Sequence, residues 1–309
     1  MLNEQFRTTV LNHGVNEHVS AISTVPQEIY YHIPWRARGV QAGSHKTNMR
    51  GAGSDFASFV SLLDCPDPKR LDVRASLRSF PSQLMVRTFF ERSAIKVYVI
   101  NDLSSSMRFS GSVNKASILA EIVETIAWSV VRQGDTFGMV SCDDSVLETV
   151  SIMPTNRKSA AQEARQQLVN FFAQAELSTH TAQAIPQAVK NISTQKSLVF
   201  IISDFHWPEA LLKQTYQAYR QHDLMPIVLW DETEFEVLPT WGWAKVREME
   251  TGLQQSLFMR PALHKSIHEY AKNRKNMLGK MAQQFGARWP FFVNSRFDAT
   301  AFTHHLMGA

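Results

Sequence analysis

From Ile95 onward, short runs of β-branched and aromatic residues alternate with longer stretches whose apolar positions recur at helical spacing. Ile95, Val97, Tyr98, Val99 and Ile100 form the first run, which predicts a buried strand. The clearest helix follows over 115–133. Ile118, Leu119, Ile122, Val123, Ile126, Ala127, Val130 and Val131 make one stripe there, and Gly134 is placed to end it. Strands are predicted over 136–141 and 146–151. The Asp143-Asp144 pair between them is too short for a parallel crossover, so the two should run antiparallel. Helices over 157–174 and 183–191 come next, then a strand over 198–202 and a helix over 209–221. A strand over 226–230, a long helix over 263–285, a strand over 287–293 and a helix over 299–306 complete the chain. This alternation predicts an α/β fold with a doubly wound, mostly parallel six-stranded sheet covered on both faces.

Upstream the pattern changes. Residues 1–35 read as partly helical, interrupted at Pro26 and Pro34. The stretch 39–63 alternates in the manner of extended chain and is punctuated by Gly43, Gly51 and Gly53. A turn over 66–72 leads into a short helix over 73–79, and 84–90 is again strand-like. Two parts are therefore expected: a helix and β-rich subdomain over 1–92, and an α/β domain over 93–309. The second part carries an irregular, strand-like insertion at about 233–262 that contains a Trp241-Gly-Trp243 turn.

Composition adds the class of molecule. With 309 residues, 44% hydrophobic and 19% charged, the chain is globular and long enough for a large core. A net charge of +4 does not by itself argue for nucleic acid. The segment 36–96, however, holds eleven Lys and Arg against five Asp and Glu, and makes a nucleic-acid surface the alternative function. Cys65 and Cys142 show no metal-ligand spacing and fit a reducing compartment. Neither a signal pattern nor a run of eighteen apolar residues occurs, so the expected location is cytoplasmic, without membrane insertion.

The candidate chemistry lies where the strands end. Asp102, Ser104 and Ser106 follow the 95–100 run at alternate positions, Asp204 follows the 198–202 strand, and Thr179 lies in the loop before the 183–191 helix. Asp and Ser are also ordinary turn and cap residues. As a set, two carboxylates and three hydroxyls are hard oxygen donors that suit Mg²⁺ rather than zinc. Other chemistry finds less support. His264 and His268 are four apart on a helix, but no Glu stands between them, and no G-x-S-x-G elbow supports Ser104 or Ser106 as a nucleophile. His206 reads as a turn or cap residue, Trp207, Trp241 and Trp243 as packing residues, and Asp231 as a turn residue near the same edge. No catalytic residue is assigned.

The layout D-x-S-x-S, then Thr, then Asp resembles the metal-ion-dependent adhesion site of von Willebrand factor A-type domains. Upstream, Gly51-Ala-Gly-Ser-Asp-Phe56, Pro66-Asp-Pro-Lys-Arg-Leu-Asp72 with Arg78, and Val86-Arg-Thr-Phe-Phe-Glu-Arg92 resemble the signature of the bacterial domain-of-unknown-function 58 family. That resemblance runs from about Gly39 to Gly252. Asp55 stands where the family usually has Glu, Val73 where it usually has Trp, and the family's Gly-Gly-Thr loop is Leu177-Ser178-Thr179 here. The family spacing from Thr to the apolar start of its helix selects Thr179 over Thr181. The resemblance implies a von Willebrand factor A-like fold and a divalent ion, Mg²⁺ or another, on Asp102, Ser104, Ser106, Thr179 and Asp204. It further implies an open coordination position for an acidic residue of a partner protein, and work alongside an AAA+ ATPase of the MoxR type in assembling or activating protein complexes. It implies no enzymatic activity.

Overall fold

The computed structural model describes residues 26–37, 42–51, 53, 55–108, 114–174, 181–230, 241–247 and 254–308. The first described sheet is small and antiparallel. It contains β1 (Ala42–Gly51), β2 (Asp55–Ser61) and, after the short helix α1 (Val73–Arg78), β3 (Met85–Ser93). Its order is β1-β3-β2, so the expected extended stretches 39–63 and 84–90 become three strands. The motif residues upstream of the main sheet hold this unit together. Asp72 caps α1 by accepting from the Ala75 N–H at 2.9 Å, and its other oxygen accepts from Arg87 Nε at 2.6 Å. Asp55 faces Arg92 at 3.3 Å and Lys46 at 3.8 Å.

Two residues separate β3 from β4 (Lys96–Asp102), the inner strand of the larger sheet. There follow α2 (Lys115–Arg132), β5 (Thr136–Cys142), β6 (Val146–Thr155), α3 (Ala160–Gln174), β7 (Leu198–Ser203), α4 (Glu209–Ala218) and β8 (Asp223–Leu229). A hairpin of β9 (Gly242–Arg247) and β10 (Gln254–Met259) occupies the expected insertion. Then come α5 (Pro261–Gln284), β11 (Phe291–Val293) and α6 (Ala299–Gly308). The six strands lie in the order β11-β8-β7-β4-β5-β6, and β5 and β6 pair antiparallel while the other neighbours are parallel.

Alternation along β4 builds the two cores. Val97 and Val99 pack with the α2 stripe of Leu119, Ile122, Val123 and Ile126, while Tyr98 and Ile100 pack with Leu212 and Tyr216 of α4 and Leu278 of α5. Asn114 caps α2 by accepting from the Ser117 N–H at 3.1 Å, and Gly134, at φ 80°, ends it as its position predicts.

Two expected helices are not formed as such. Residues 183–191 make turns and a 3₁₀ segment rather than an α-helix, because Pro186 has no N–H to return to Ala182. Of the expected partly helical 1–35, residues 1–25 lie outside the described chain, and 26–35 form an extended strap. Ile29, Tyr31 and Ile33 of the strap are buried while Tyr30, His32 and Pro34 face outward, a period of two. The Ile29 N–H donates to Ser129 Oγ at 2.9 Å, and Gln133 Nε2 donates to the Ile29 carbonyl at 2.8 Å. Trp35 Nε1 donates to Asp223 Oδ2 at 3.0 Å.

Buried ion-paired groups tie the strap to both sheets. Arg288 donates from Nε to Asp223 Oδ1 at 2.8 Å and from Nη2 to Oδ2 at 2.7 Å, and it also reaches the carbonyls of His32 and Leu306. Asp135, fully buried, accepts from the Tyr31 hydroxyl, from the Ile95 N–H at 2.8 Å, and contacts His45 Nε2 at 2.7 Å.

Among the described residues no helix is long and apolar enough to cross a membrane.

Candidate functional site

The connection after β4 leads to β5 on one side, and β7 lies on the other. The C-terminal ends of β4 and β7 therefore flank the crevice where a parallel sheet reverses its winding, the place where such folds bind ligands. The two strands are in parallel register, with Asn101 opposite Ile202. Asp102 and the pair Ser203-Asp204 consequently emerge at the same edge.

Asp102 is the last residue of β4 and is fully buried. Its Oδ1 accepts from the Ser104 N–H at 2.9 Å, and its Oδ2 accepts from Ser203 Oγ at 2.6 Å and Trp207 Nε1 at 3.1 Å. The hydroxyls of Ser104 and Ser106 are 3.2 Å apart, and Ser106 hydrogen-bonds the Asp204 carboxylate. One continuous cluster of oxygens thus joins Asp102, Ser104, Ser106 and Asp204.

The loop after β7 is held stiffly. The Phe205 backbone adopts a left-handed φ of 52°, which a bulky side chain disfavours. It is fixed by its N–H donating to Ser203 Oγ at 2.9 Å and by Arg274 of α5, which donates to the carbonyls of Phe205 and Trp207. Asp204 Oδ1 accepts from the His206 N–H at 3.2 Å, and the His206 ring stacks on Trp230, whose Nε1 donates to the Asp204 carbonyl at 2.7 Å. The expected turn role of His206 is therefore observed, with its backbone serving the carboxylate.

The two acids differ in their surroundings. Burial, then the charge of Asp204, push the Asp102 carboxyl up to about 6 against hydrogen bonds from Ser104 and Ser203. Burial also works against ionisation of Asp204. There the Lys115 ammonium, then His206 and the Ser106 hydroxyl, outweigh it and hold the group below the usual carboxylate range. Lys115 is itself buried, with Nζ 3.4 Å from Asp204 Oδ2. Nearby, burial and the charges of Asp102 and Asp143 push the Cys142 thiol up, leaving it an inert core residue.

Thr179 lies outside the described residues. Thr181 is tied elsewhere: its N–H, at 3.0 Å, and its hydroxyl both donate to Asp144 Oδ1 in the β5–β6 turn. Asp231 also lies outside the described residues, as do the side chains of His264 and His268 on α5 and of Trp243 on β9. Trp241 is exposed.

Three residues that act at the site were not expected from the sequence: Ser203, Trp207 and Lys115. The first two hold Asp102. Lys115 did carry a signal, since a cation in the first turn of α2 opposes the helix dipole and calls for a nearby anion.

The donor set fits a small, hard divalent cation. It offers two carboxylates and two hydroxyls converging at one sheet edge, with Asp102, Ser104 and Asp204 buried and Ser106 half-buried. Among the described residues no group of three or more His, Cys, Asp or Glu could hold a metal, so an ion here would depend on the serine hydroxyls.

Solved structures with partial similarity include the conserved hypothetical protein BatB from Bacteroides thetaiotaomicron, at 12% identity over 69% of this chain and 97% of that one, with a TM-score of 0.43. An aerotolerance-related membrane protein from Bacteroides fragilis NCTC 9343, carrying multiple mutations to serine, aligns at 14% identity over 69% of this chain and 98% of that one, with a TM-score of 0.39. No curated protein matches the chain. A family model described as protein of unknown function DUF58 matches residues 67–277, from the turn before α1 well into α5. That span covers more than half of the sequence and the whole described oxygen cluster, and the chain belongs to the DUF58 family.

Proposed function

We propose that this protein is a non-enzymatic, divalent-ion-dependent interaction module whose larger sheet is a von Willebrand factor A-like domain. Asp102, Ser104, Ser106 and Asp204, together with Thr179, would hold Mg²⁺ or a similar ion. When bound, the ion supplies Lewis acidity toward an outside carboxylate. The observation that carries this reading is the oxygen cluster spanning adjacent strand ends, with Asp102 and Asp204 both buried.

The chain's own residues orient that cluster. Ser203 and Trp207 fix the Asp102 carboxylate, and Arg274 and the strained Phe205 fix the turn that presents Asp204. The partner proposed is an AAA+ ATPase of the MoxR type, in the cytoplasm, which presents an acidic side chain to the ion. The nucleic-acid alternative is weakened because Arg87, Arg92, Lys46 and Arg70 of segment 36–96 already face Asp72, Asp55 or Asp67.

Asp102→Asn tests the proposal while keeping the shape of the site, at a cost of about 1 kcal/mol for one lost hydrogen bond. Wild type should gain about 2.7 kcal/mol of stability from Mg²⁺ at a hundred times its dissociation constant, and the variant almost none. Capture of the ATPase in Mg²⁺, but not in chelator, should likewise be lost in the variant. Equal ion stabilisation of both proteins, or equal capture by both, would remove the ion from the account. Binding of RNA or DNA that falls steeply with salt would instead favour the basic segment.

A further inference from the structure

Lys115 is an unusual residue to open a helix. The first turn of α2 contains no acidic residue, and a positive charge there meets exposed backbone N–H groups and the positive end of the dipole. The side chain is nevertheless only 4% exposed. A buried ammonium persists only beside an anion, and Asp204 stands 3.4 Å from Nζ.

The charges that face this pocket come from several elements. Asp102 ends β4, Asp204 follows β7, Lys115 opens α2, and His206 acts on Asp204 in the same direction as Lys115. Arg108, in the turn after β4, and Asp143, in the β5–β6 turn, lie close to each other and offset. The two carboxylates and one ammonium leave a single negative charge. A divalent ion added to them would give a single positive charge, where two carboxylates alone would give none.

We propose that Lys115 is the internal counter-cation of this site, competing with a divalent ion for Asp204 and leaving the loaded site positively charged, so that it favours an anionic partner group. The inference rests on the metal reading above. It makes ion affinity a compromise: like charges in a poorly solvated pocket repel strongly, and Lys115 weakens ion binding in exchange for a site that demands an anion.

Calorimetric titration of the full chain with Mg²⁺ alone and Mn²⁺ alone tests it. Lys115→Met and Lys115→Gln should bind both ions tighter than wild type, by roughly tenfold or more. Lys115→Arg keeps the charge and should bind as weakly as wild type. In chelator the two neutral variants should melt below wild type, and the gap should close as the ion is added. Equal affinity in wild type and both neutral variants would overturn the inference while leaving the metal reading intact, and so would weaker binding by the neutral variants. Absence of binding by every protein would overturn both. Two neutral replacements of different polarity are included so that misfolding of one does not decide the result.

Discussion

Arg288→Met is expected to lower stability by about 3–5 kcal/mol, because it leaves a buried carboxylate without its partner. Asp223 and Arg288 meet through two hydrogen bonds of 2.8 and 2.7 Å, and both side chains are less than a tenth exposed. The guanidinium also donates to the carbonyls of His32 and Leu306, so its loss frees acceptors on the strap and on α6 together. Methionine can fill much of the volume without answering any of these groups. Denaturant unfolding should show the loss as a shifted midpoint with an unchanged slope. The double variant Arg288→Met with Asp223→Leu should be less damaged than the sum of its parts, since it removes the unpaired charge. A loss below about 1 kcal/mol for Arg288→Met would show that water reaches Asp223 in solution.

Asp135→Ala should cost a similar amount, about 3–4 kcal/mol, by stranding three partners at once. The carboxylate contacts the Tyr31 hydroxyl on the strap, His45 on β1 and the Ile95 N–H at the start of β4. The same contact predicts a pH dependence. Burial, then the charge of Asp135 and its hydrogen bond, raise the Tyr31 hydroxyl well above 10.0. The unfolded chain releases this proton near pH 10 and the folded chain does not. The stabilisation is therefore complete below about pH 10 and is lost as pH rises beyond it. Buried Tyr216 and Tyr219, raised first by desolvation, add to the same alkaline fall. Melting temperatures that stay level from pH 9 to 11.5 would contradict this account.

Much of the sheet is legible in the sequence because its inner strands are buried on both faces and therefore read as unbroken apolar runs. Leu198, Val199, Phe200, Ile201 and Ile202 form such a run. The antiparallel pair followed from the shortness of the Asp143-Asp144 connection. Residues 183–191 misled because their apolar spacing is helical while Pro186 breaks the hydrogen-bond ladder. The strap misled in the opposite way. Its period-two pattern of Ile29, Tyr31 and Ile33 was present, but two prolines drew attention to interrupted helix.

At the site, residue types at strand ends pointed to Asp102, Ser104, Ser106 and Asp204, and the parallel register brings these four to one edge. Their depth was not legible. An aspartate after a strand reads as an exposed loop group, and only the packing of Trp207 and Ser203 over β4 shows Asp102 to be enclosed. Lys115 carried only a local signal, its place in the first turn of α2, and its partner lies 89 residues away in sequence.

The strap has a practical consequence for anyone trimming this chain. A fragment cut to the family-matched span 67–277 would lack the strap, β1, β2, β11 and α6, and with them Trp35 and Arg288, which donate to Asp223, and Tyr31 and His45, two of the three partners of Asp135. It would also bare the edge of β8 to strand addition by another molecule. Such a fragment should aggregate rather than fold. In the full chain the two sheets share their buried charges, so calorimetry should find one cooperative melting transition rather than two.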